Sequence, residues 1–355
     1  MLSKTTSLPT IVVRLPNWVG DVCMVMPCLA WLSTSGCPLV ICGKPFAKAF
    51  IDSLIGEDPQ SEFIALTGSI IPDARTIRQS LAHRRAMTGR HEKLSGLLFP
   101  DSLTSALTFR LAGIPCLGHR DDGRSLLLRW PVNKSDSKQH AVLRWYRLAR
   151  IAAKEWRLPI PSPFPDKPPA YYYTPPTQAI QRVQECLTSH DLNQRPIVLI
   201  APTATGLHQG KRKVWPGFAQ LTDALIARGY AVITCPPAHE QDQARKAAPR
   251  AMLLEALPLD AFAQLTRVAS IVICNDSGVS HIAALTGASQ ITLFGVTDPA
   301  LTGPWSDKAI CLGAMDDWPS VDAVLDACAE QLGIQPGIPH RPQNDEQSPC
   351  SSIGN

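Results

Sequence analysis

Apolar residues along the chain fall mainly into short unbroken runs, each followed by a stretch with helical spacing. Ile271–Cys274 is such a run, β-branched and free of polar breaks, the pattern of a strand buried on both faces. It stops at Asn275-Asp276-Ser277-Gly278, which is turn and helix N-cap chemistry. Val279, Ile282, Ala283 and Thr286 then recur at helical spacing as far as Gly287, a residue suited to the position after a helix. A second buried run, Ile291–Phe294, follows. Residues 270–295 therefore predict a βαβ unit, whose crossover forces its two strands to lie parallel.

The same alternation opens the chain. Thr10–Leu15 predicts a strand, Pro16–Asp21 a loop, and Val22–Ser33 an apolar helix that Pro27 kinks or opens. Strands at Leu39–Cys42, Leu94–Phe99 and Ile114–Gly118 follow, with helices at Pro45–Leu54, Leu103–Ala112 and His140–Lys154. Residues 56–95 are less regular. Their cluster of His83, Arg84, Arg85, Arg90, His91 and Lys93 reads as a solvated loop or helix face, and Arg120–Arg129 as a basic loop. Residues 158–178, LPIPSPFPDKPPAYYYTPPTQ, predict a stiff connector. Helix Ala179–Ser189 and strand Pro196–Ala201 come next. A loop then carries Thr203, Thr205, Gly206 and Lys211-Arg212-Lys213 up to Trp215-Pro216. Gly217–Arg228, Gln241–Ala248, Asp260–Arg267 and Ser320–Leu332 predict helices, and Tyr230–Cys235 and Leu253–Leu254 predict strands. Residues 335–355 read as a flexible tail.

Two α/β halves with this alternation predict two doubly wound domains, residues 1–157 and 179–334, facing each other across a cleft. Ligands of such sheets sit beyond the carboxyl ends of the strands. Asp276-Ser277-Gly278 lies there, where free backbone N–H groups and the helix dipole favour an anion, and His281 follows one turn on. Asp21 holds the corresponding place in the first half. Helix capping alone also accounts for both sequences. Neither half contains GxGxxG or GxxxxGK[ST], which argues against a dinucleotide or P-loop site.

Composition adds three constraints. A chain of 355 residues exceeds what one core usually organises, and 45% hydrophobic with 18% charged residues suits a folded protein. No run is long enough to span a membrane, and the N-terminal MLSKTTSLPT lacks the apolar segment of a signal peptide. The 11 cysteines contain no CxxC pair, which predicts a reducing cytoplasm with neither zinc nor a disulfide framework. Charge is divided unevenly. Residues 1–157 hold 21 Lys and Arg against 12 Asp and Glu, a net +9, and residues 158–355 hold 13 against 18, a net −5. A basic first half suggests an anionic partner, with Arg84, Arg85, Arg90 and Lys93 the first contributors and Arg120 and Arg124 the second. If one ligand fills the cleft, Asp21 faces Lys213, Asp276, Ser277 and His281 across it. That set suits group transfer from an activated phosphate, with a carboxylate to take a proton and cationic groups to hold a departing diphosphate.

Five segments together resemble glycosyltransferase family nine, in particular its lipopolysaccharide heptosyltransferase II type. They are VVRLPNWVGDVCMVMPCL at 12–29, LFPDSLTSALTFRLAGIP at 98–115, KVWP at 213–216, CPPAHE at 235–240 and NDSGVSHIAALTGASQITLFGVTDP at 275–299. The resemblance reaches to about residue 330. It implies a GT-B fold and an inverting, metal-independent transfer of heptose from ADP-heptose to the phosphorylated, lipid-linked inner core of lipopolysaccharide. It implies no cofactor and no nucleic acid, and peripheral contact at the cytoplasmic face of the inner membrane. By the same resemblance Asp21, in the Gly20-Asp21 pair, is the general base, and Lys213 is the second catalytic residue. Asp276, Ser277, Gly278, His281 and Glu240 are donor-binding, with Thr203 and Thr205 as phosphate contacts. Asn17, Gly20, Arg84, Arg85 and Arg120 fall on the acceptor and membrane side. Two segments depart from the family pattern: the Thr203–Arg212 loop is longer, and ICLGAMDDWPSVDAV is shorter and acidic. A transferase for another nucleotide sugar and another polysaccharide, and a non-catalytic sugar-nucleotide-binding protein, remain open alternatives.

Overall fold

The computed structural model describes residues 8–56, 58–89, 93–121, 123–135, 138–208 and 210–332. Arg90, His91 and the expected tail at 335–355 lie outside them.

The first half runs β1 (Thr10–Arg14), α1 (Val19–Ser33), β2 (Leu39–Gly43), α2 (Lys48–Ile55), β3 (Glu62–Ala65), α3 (Ile70–Thr88), β4 (Leu94–Leu98), α4 (Leu103–Leu111), β5 (Cys116–His119), β6 (Trp130–Val132) and α5 (Ala141–Glu155). The second runs α6 (Thr177–Ser189), β7 (Ile197–Ala201), β8 (Leu207–His208), β9 (Lys211–Arg212), α7 (Phe218–Ala227), β10 (Ala231–Thr234), α8 (Gln241–Ala247), β11 (Met252–Leu253), α9 (Leu259–Val268), β12 (Ile271–Asn275), α10 (Gly278–Thr286), β13 (Gln290–Leu293), α11 (Pro299–Thr302), β14 (Ala309–Leu312) and α12 (Val321–Gln331).

Each half builds one parallel six-stranded sheet, ordered β3-β2-β1-β4-β5-β6 and β11-β10-β7-β12-β13-β14. Renumbered within its half, the second order repeats the first, 3-2-1-4-5-6, the doubly wound arrangement. The two sheets make the GT-B-type fold, two Rossmann-like α/β units. The central strands β1 and β12 are buried at every position, which is why their apolar runs have no alternation.

The two units share apolar packing. One continuous core passes from the first sheet through α1 and α10 into the second. Glycines permit the close approach. A Cβ on Gly20 would sit 2.5 Å from the His281 ring, and one on Gly278 would touch Val19 at 3.5 Å. The proline-rich connector is fastened to both units. The Tyr173 hydroxyl donates to the Ala49 carbonyl of α2 at 2.9 Å, and its backbone N–H to Leu285 of α10 at 2.8 Å. Phe164 of the same segment packs edge-on against Trp31 of α1, 5.1 Å between centroids.

The structure departs from the sequence reading in several places, among them the unpredicted β6, the β8–β9 hairpin in the stretch read as a loop, α11 and β14. Residues 56–95, read as irregular, contain β3 and the 19-residue α3. β3 is an edge strand with only Ile64 buried, and α3 packs through a narrow stripe, Ala74, Ile77 and half-buried Leu81, so neither leaves a strong period. Helix α1 starts at Val19 and not at Val22, placing Gly20 and Asp21 in its first turn. Arg124, expected among exposed basic residues, is fully buried.

Candidate active site

The site residues stand beyond the carboxyl ends of adjacent strands in both sheets. In the second unit Thr203 follows β7, Glu240 follows β10, Asp276 follows β12 and Thr297 follows β13. In the first unit Asn17 and Asp21 follow β1, Asp101 follows β4, and His119 ends β5. The starts of α1 and α10, one from each unit, meet here.

In the second unit the Ser277 hydroxyl caps α10, accepting from the Val279 N–H at 3.4 Å, and Gly287 ends the helix with φ of 72°. Asn275 accepts from the Trp215 N–H at 2.9 Å and donates to the Ala201 carbonyl at 3.3 Å, clipping the 213–216 segment onto β7 and β12. The Trp215 indole N–H donates to Pro319 at 2.8 Å. So anchored, Lys213 meets Asp276 Oδ2 at 2.9 Å, and the Thr297 hydroxyl donates to the same oxygen at 2.6 Å. Asp276 is almost entirely buried, and Lys213 and Thr297 supply the partners that a buried carboxylate requires. Thr203 is buried and donates to Glu240, whereas Thr205 is exposed.

His281 is buried with its ring against Gly20, and its Nδ1 has no partner among the described residues. Burial pushes its pKa down to about 4 against the pull of Asp276, so the ring is neutral at physiological pH.

Asp21 occupies the first turn of α1, half-buried. Among the described residues its carboxylate has neither a hydrogen bond nor an ion pair. Burial raises its pKa, and the charges of Arg144 and Lys213 pull it back only in part. It borders a cavity of about 420 Å³ in the first unit, walled also by Trp18, Asp101, His119, Arg144 and Trp145.

Asp101 differs from Asp21 although both face the cavity. His119 Nδ1 lies 3.1 Å, Lys134 Nζ 3.1 Å and Arg124 Nη2 3.5 Å from its oxygens. Burial works to raise its pKa, but the hydrogen bonds and charges of His119 and Lys134 outweigh it and bring it down to about 2.

The structure thus brings together Asp21, Gly20, Lys213, Asp276, Ser277, Gly278 and His281, and pairs Thr203 with Glu240. Arg120 is exposed immediately after His119 and is not among the residues that line the cavity. Asn17 borders the cavity and accepts from Arg14 at 2.7 Å. Arg84 and Arg85 are not brought to the cavity. They lie in the last turns of α3, at the end where the strands begin, and Arg84 donates to the Gln60 carbonyl just before β3. Lys93 likewise precedes β4. Among the described residues that line the cavity the permanent cation is Arg144, and Arg124 and Lys134 reach the wall behind it through Asp101. Asp101, His119, Arg144 and Thr297 were not nominated from the sequence. The strand-end rule that found Asp276 finds three of them when applied to β4, β5 and β13.

Comparison with known proteins bears on this geometry. The family model for glycosyltransferase family 9 (heptosyltransferase) matches residues 90–330. Lipooligosaccharide heptosyltransferase 2 of Haemophilus influenzae is 26% identical over 322 residues, covering 83% of this chain and 85% of that protein. The crystal structure of a glycosyl transferase family 9 protein from Veillonella parvula superposes with a TM-score of 0.74 at 14% identity, over 91% of this chain and 97% of that one. The Escherichia coli ADP-heptose lipopolysaccharide heptosyltransferase II structure gives 0.69 at 22% identity, over 91% and 98%.

Proposed function

The chain belongs to glycosyltransferase family 9 and transfers a sugar from a nucleotide donor, and from that premise we propose that it moves a heptose from ADP-heptose to the phosphorylated inner core of lipopolysaccharide, with Asp21 as general base. The observation that carries the reading is the unpartnered, half-buried Asp21 carboxylate bordering a cavity beside Lys213 and the start of α10.

In the reaction an acceptor hydroxyl in the cavity gives its proton to Asp21 as its oxygen attacks the anomeric carbon. The bond from that carbon to the diphosphate oxygen breaks, and the new glycosidic bond forms on the opposite face, with inversion. Lys213 and the N–H groups at the start of α10 offset the charge growing on the departing diphosphate. Asp276 holds Lys213 in place. His281, neutral, offers a donor or acceptor near the donor sugar without adding charge. Glu240, kept in orientation by Thr203, suits hydrogen bonding to the nucleoside ribose. A raised pKa matches Asp21 to its role, since a base nearer the working pH takes a proton more readily.

The acceptor is a lipid-linked core oligosaccharide, reached by peripheral contact with the inner membrane through the basic first unit. No helix among the described residues is long and apolar enough to cross a membrane. Incubating the protein with ADP-heptose and defined core acceptors, with and without EDTA, tests the proposal. Heptosylated product in both conditions is expected. Turnover only with a different nucleotide sugar, or only with added divalent metal, contradicts it.

A further inference from the structure

His119 ends β5 with its side chain 7% exposed, and its Nδ1 is 3.1 Å from Asp101 Oδ1. Asp101, held down at about 2, is ionised through the working range and can only accept at that contact, so the proton sits on Nδ1. In the neutral ring the other nitrogen, Nε2, is then the one with a lone pair. Among the described residues the hydrogen bond this ring makes is the one through Nδ1, and the ring borders the cavity that Asp21 also borders, which leaves Nε2 open to that space. An acceptor on a ring held this firmly at a cavity wall is placed to take a hydrogen bond from whatever fills the cavity.

The frame behind the ring is rigid. The fully buried Arg124 guanidinium donates to the carbonyls of His119 at 2.7 Å, Pro100 at 2.6 Å and Ser102 at 3.2 Å. It thereby ties the end of β5 to the loop after β4. Lys134 secures Asp101 from the opposite side. A Cβ on Gly118 would already meet the Arg124 guanidinium at 3.0 Å. Such a frame fixes both the direction and the tautomer of the imidazole.

We propose that His119 is a specificity-determining residue for the acceptor, its Nε2 taking a hydrogen bond from a sugar hydroxyl other than the attacking one, and that Asp101 is its positioning residue. The cavity is accordingly a site for a hydroxyl-rich sugar ring, with the Trp18 and Trp145 indoles offering apolar surface to the ring. The proposal rests on the transferase reading given above. An acceptor lacking that hydroxyl leaves Nε2 unpaired, a defect that polar sites reject strongly.

Two substitutions separate recognition from support. Asn can replace His119 Nδ1 as the donor to Asp101 but offers the cavity no acceptor in place of Nε2. Gln reaches the Nε2 position and offers an oxygen there. The probe is a deacylated, phosphorylated inner-core oligosaccharide together with versions deoxygenated one hydroxyl at a time. Its binding to the ADP-loaded full-length protein is followed by calorimetry, and its turnover with ADP-heptose is followed in parallel. H119N is expected to weaken probe binding and raise acceptor KM by about 10- to 100-fold, leaving donor affinity unchanged, and H119Q to recover much of the loss. One deoxygenated probe should lose affinity for the wild type and lose nothing further with H119N. Nitrogen NMR should show His119 protonated at Nδ1 alone in the wild type and redistributed in D101N. If H119N binds the probe normally while H119Q fails, or if Nε2 carries the proton, the ring is only a strut and the proposal is overturned. A wild type that binds the probe but transfers no heptose removes the transferase reading while the binding series still judges His119. A wild type that does not bind the probe removes both.

Discussion

Helices α1 and α10 begin at the same point of the molecule, each after a fully buried central strand and each with an aspartate at its start, yet the two carboxylates have opposite surroundings. Asp276 is sealed in, with Lys213 at 2.9 Å and Thr297 at 2.6 Å on one oxygen. Asp21 borders open space with no partner, and burial raises its pKa. Two strand–turn–helix units, one from each sheet, each bring an acid to this point, and the neighbouring elements set their surroundings. The segment at 213–216 delivers a lysine to one. The other faces Arg144 across a cavity and stays free to accept a proton. A helix start carrying Asp is therefore not by itself a functional signal, since what decides is whether a second element neutralises it.

The largest way to break the comparison is to neutralise the free acid. Asp21→Asn should keep donor affinity and lose roughly two to four orders of magnitude in turnover. Calorimetry with ADP and a product assay on the same sample check both halves. Lys213→Ala comes next. It should lower turnover by about two to three orders of magnitude through the leaving group, and also destabilise the fold by leaving the buried Asp276 without its cation, with only the Thr297 hydroxyl on that oxygen. Asp276→Asn combined with Lys213→Ala should restore stability but not turnover, as denaturant melts and rates would show.

Closing the gap between the helices has a smaller effect. Gly20→Ala places a methyl 2.5 Å from the His281 ring and should cost about 1–3 kcal/mol as α1 and α10 shift. A Gly20→Ala protein with unchanged melting temperature would show that the contact is slack.

The smallest effects are those of pH on stability, and they have opposite signs for the two cavity carboxylates. The folded state raises the Asp21 pKa above its ordinary 3.8, so ionising it opposes folding. Asp21→Asn should therefore stabilise the protein at neutral pH, and the gain should vanish as pH falls below that value. Asp101 is lowered to about 2, so its contribution is complete above 3.8 and lost as pH falls through about 2. Asp101→Asn should cost about 1–2 kcal/mol at neutral pH, the part-exposed carboxylate being screened. Melting curves across pH read both.

Much of this arrangement was legible in the sequence. Strands buried on both faces declare themselves, which is why β1 and β12, with the helices after them, stand where their apolar runs put them. Asp21, Lys213, Asp276 and His281 were nominated from those units and from the family resemblance, and the structure brings them together. Elements that bury one narrow stripe do not declare themselves: β3 and α3 were missed for that reason. A buried arginine is written like an exposed one, so Arg124 was placed on the surface although three backbone carbonyls hold it inside. Asp101 follows β4 and His119 ends β5, and their pairing joins positions at neighbouring strand ends that no local pattern connects. The charge excess of the first half was real in composition, but Arg84 and Arg85 sit at the end of α3 away from the cavity.

The central claim is that Asp21 is the free base and that its raised pKa governs the reaction. It is tested most directly by turnover of ADP-heptose with a defined core acceptor between about pH 4 and pH 9, for the wild type and Asp21→Asn in parallel. Wild-type kcat should fall on the acid side with a midpoint above the ordinary aspartate value of 3.8, while the residual rate of Asp21→Asn runs flat through the same range. An Asp21→Asn protein that binds donor and turns over near the wild-type rate, or that keeps the same acid limb, would contradict the account.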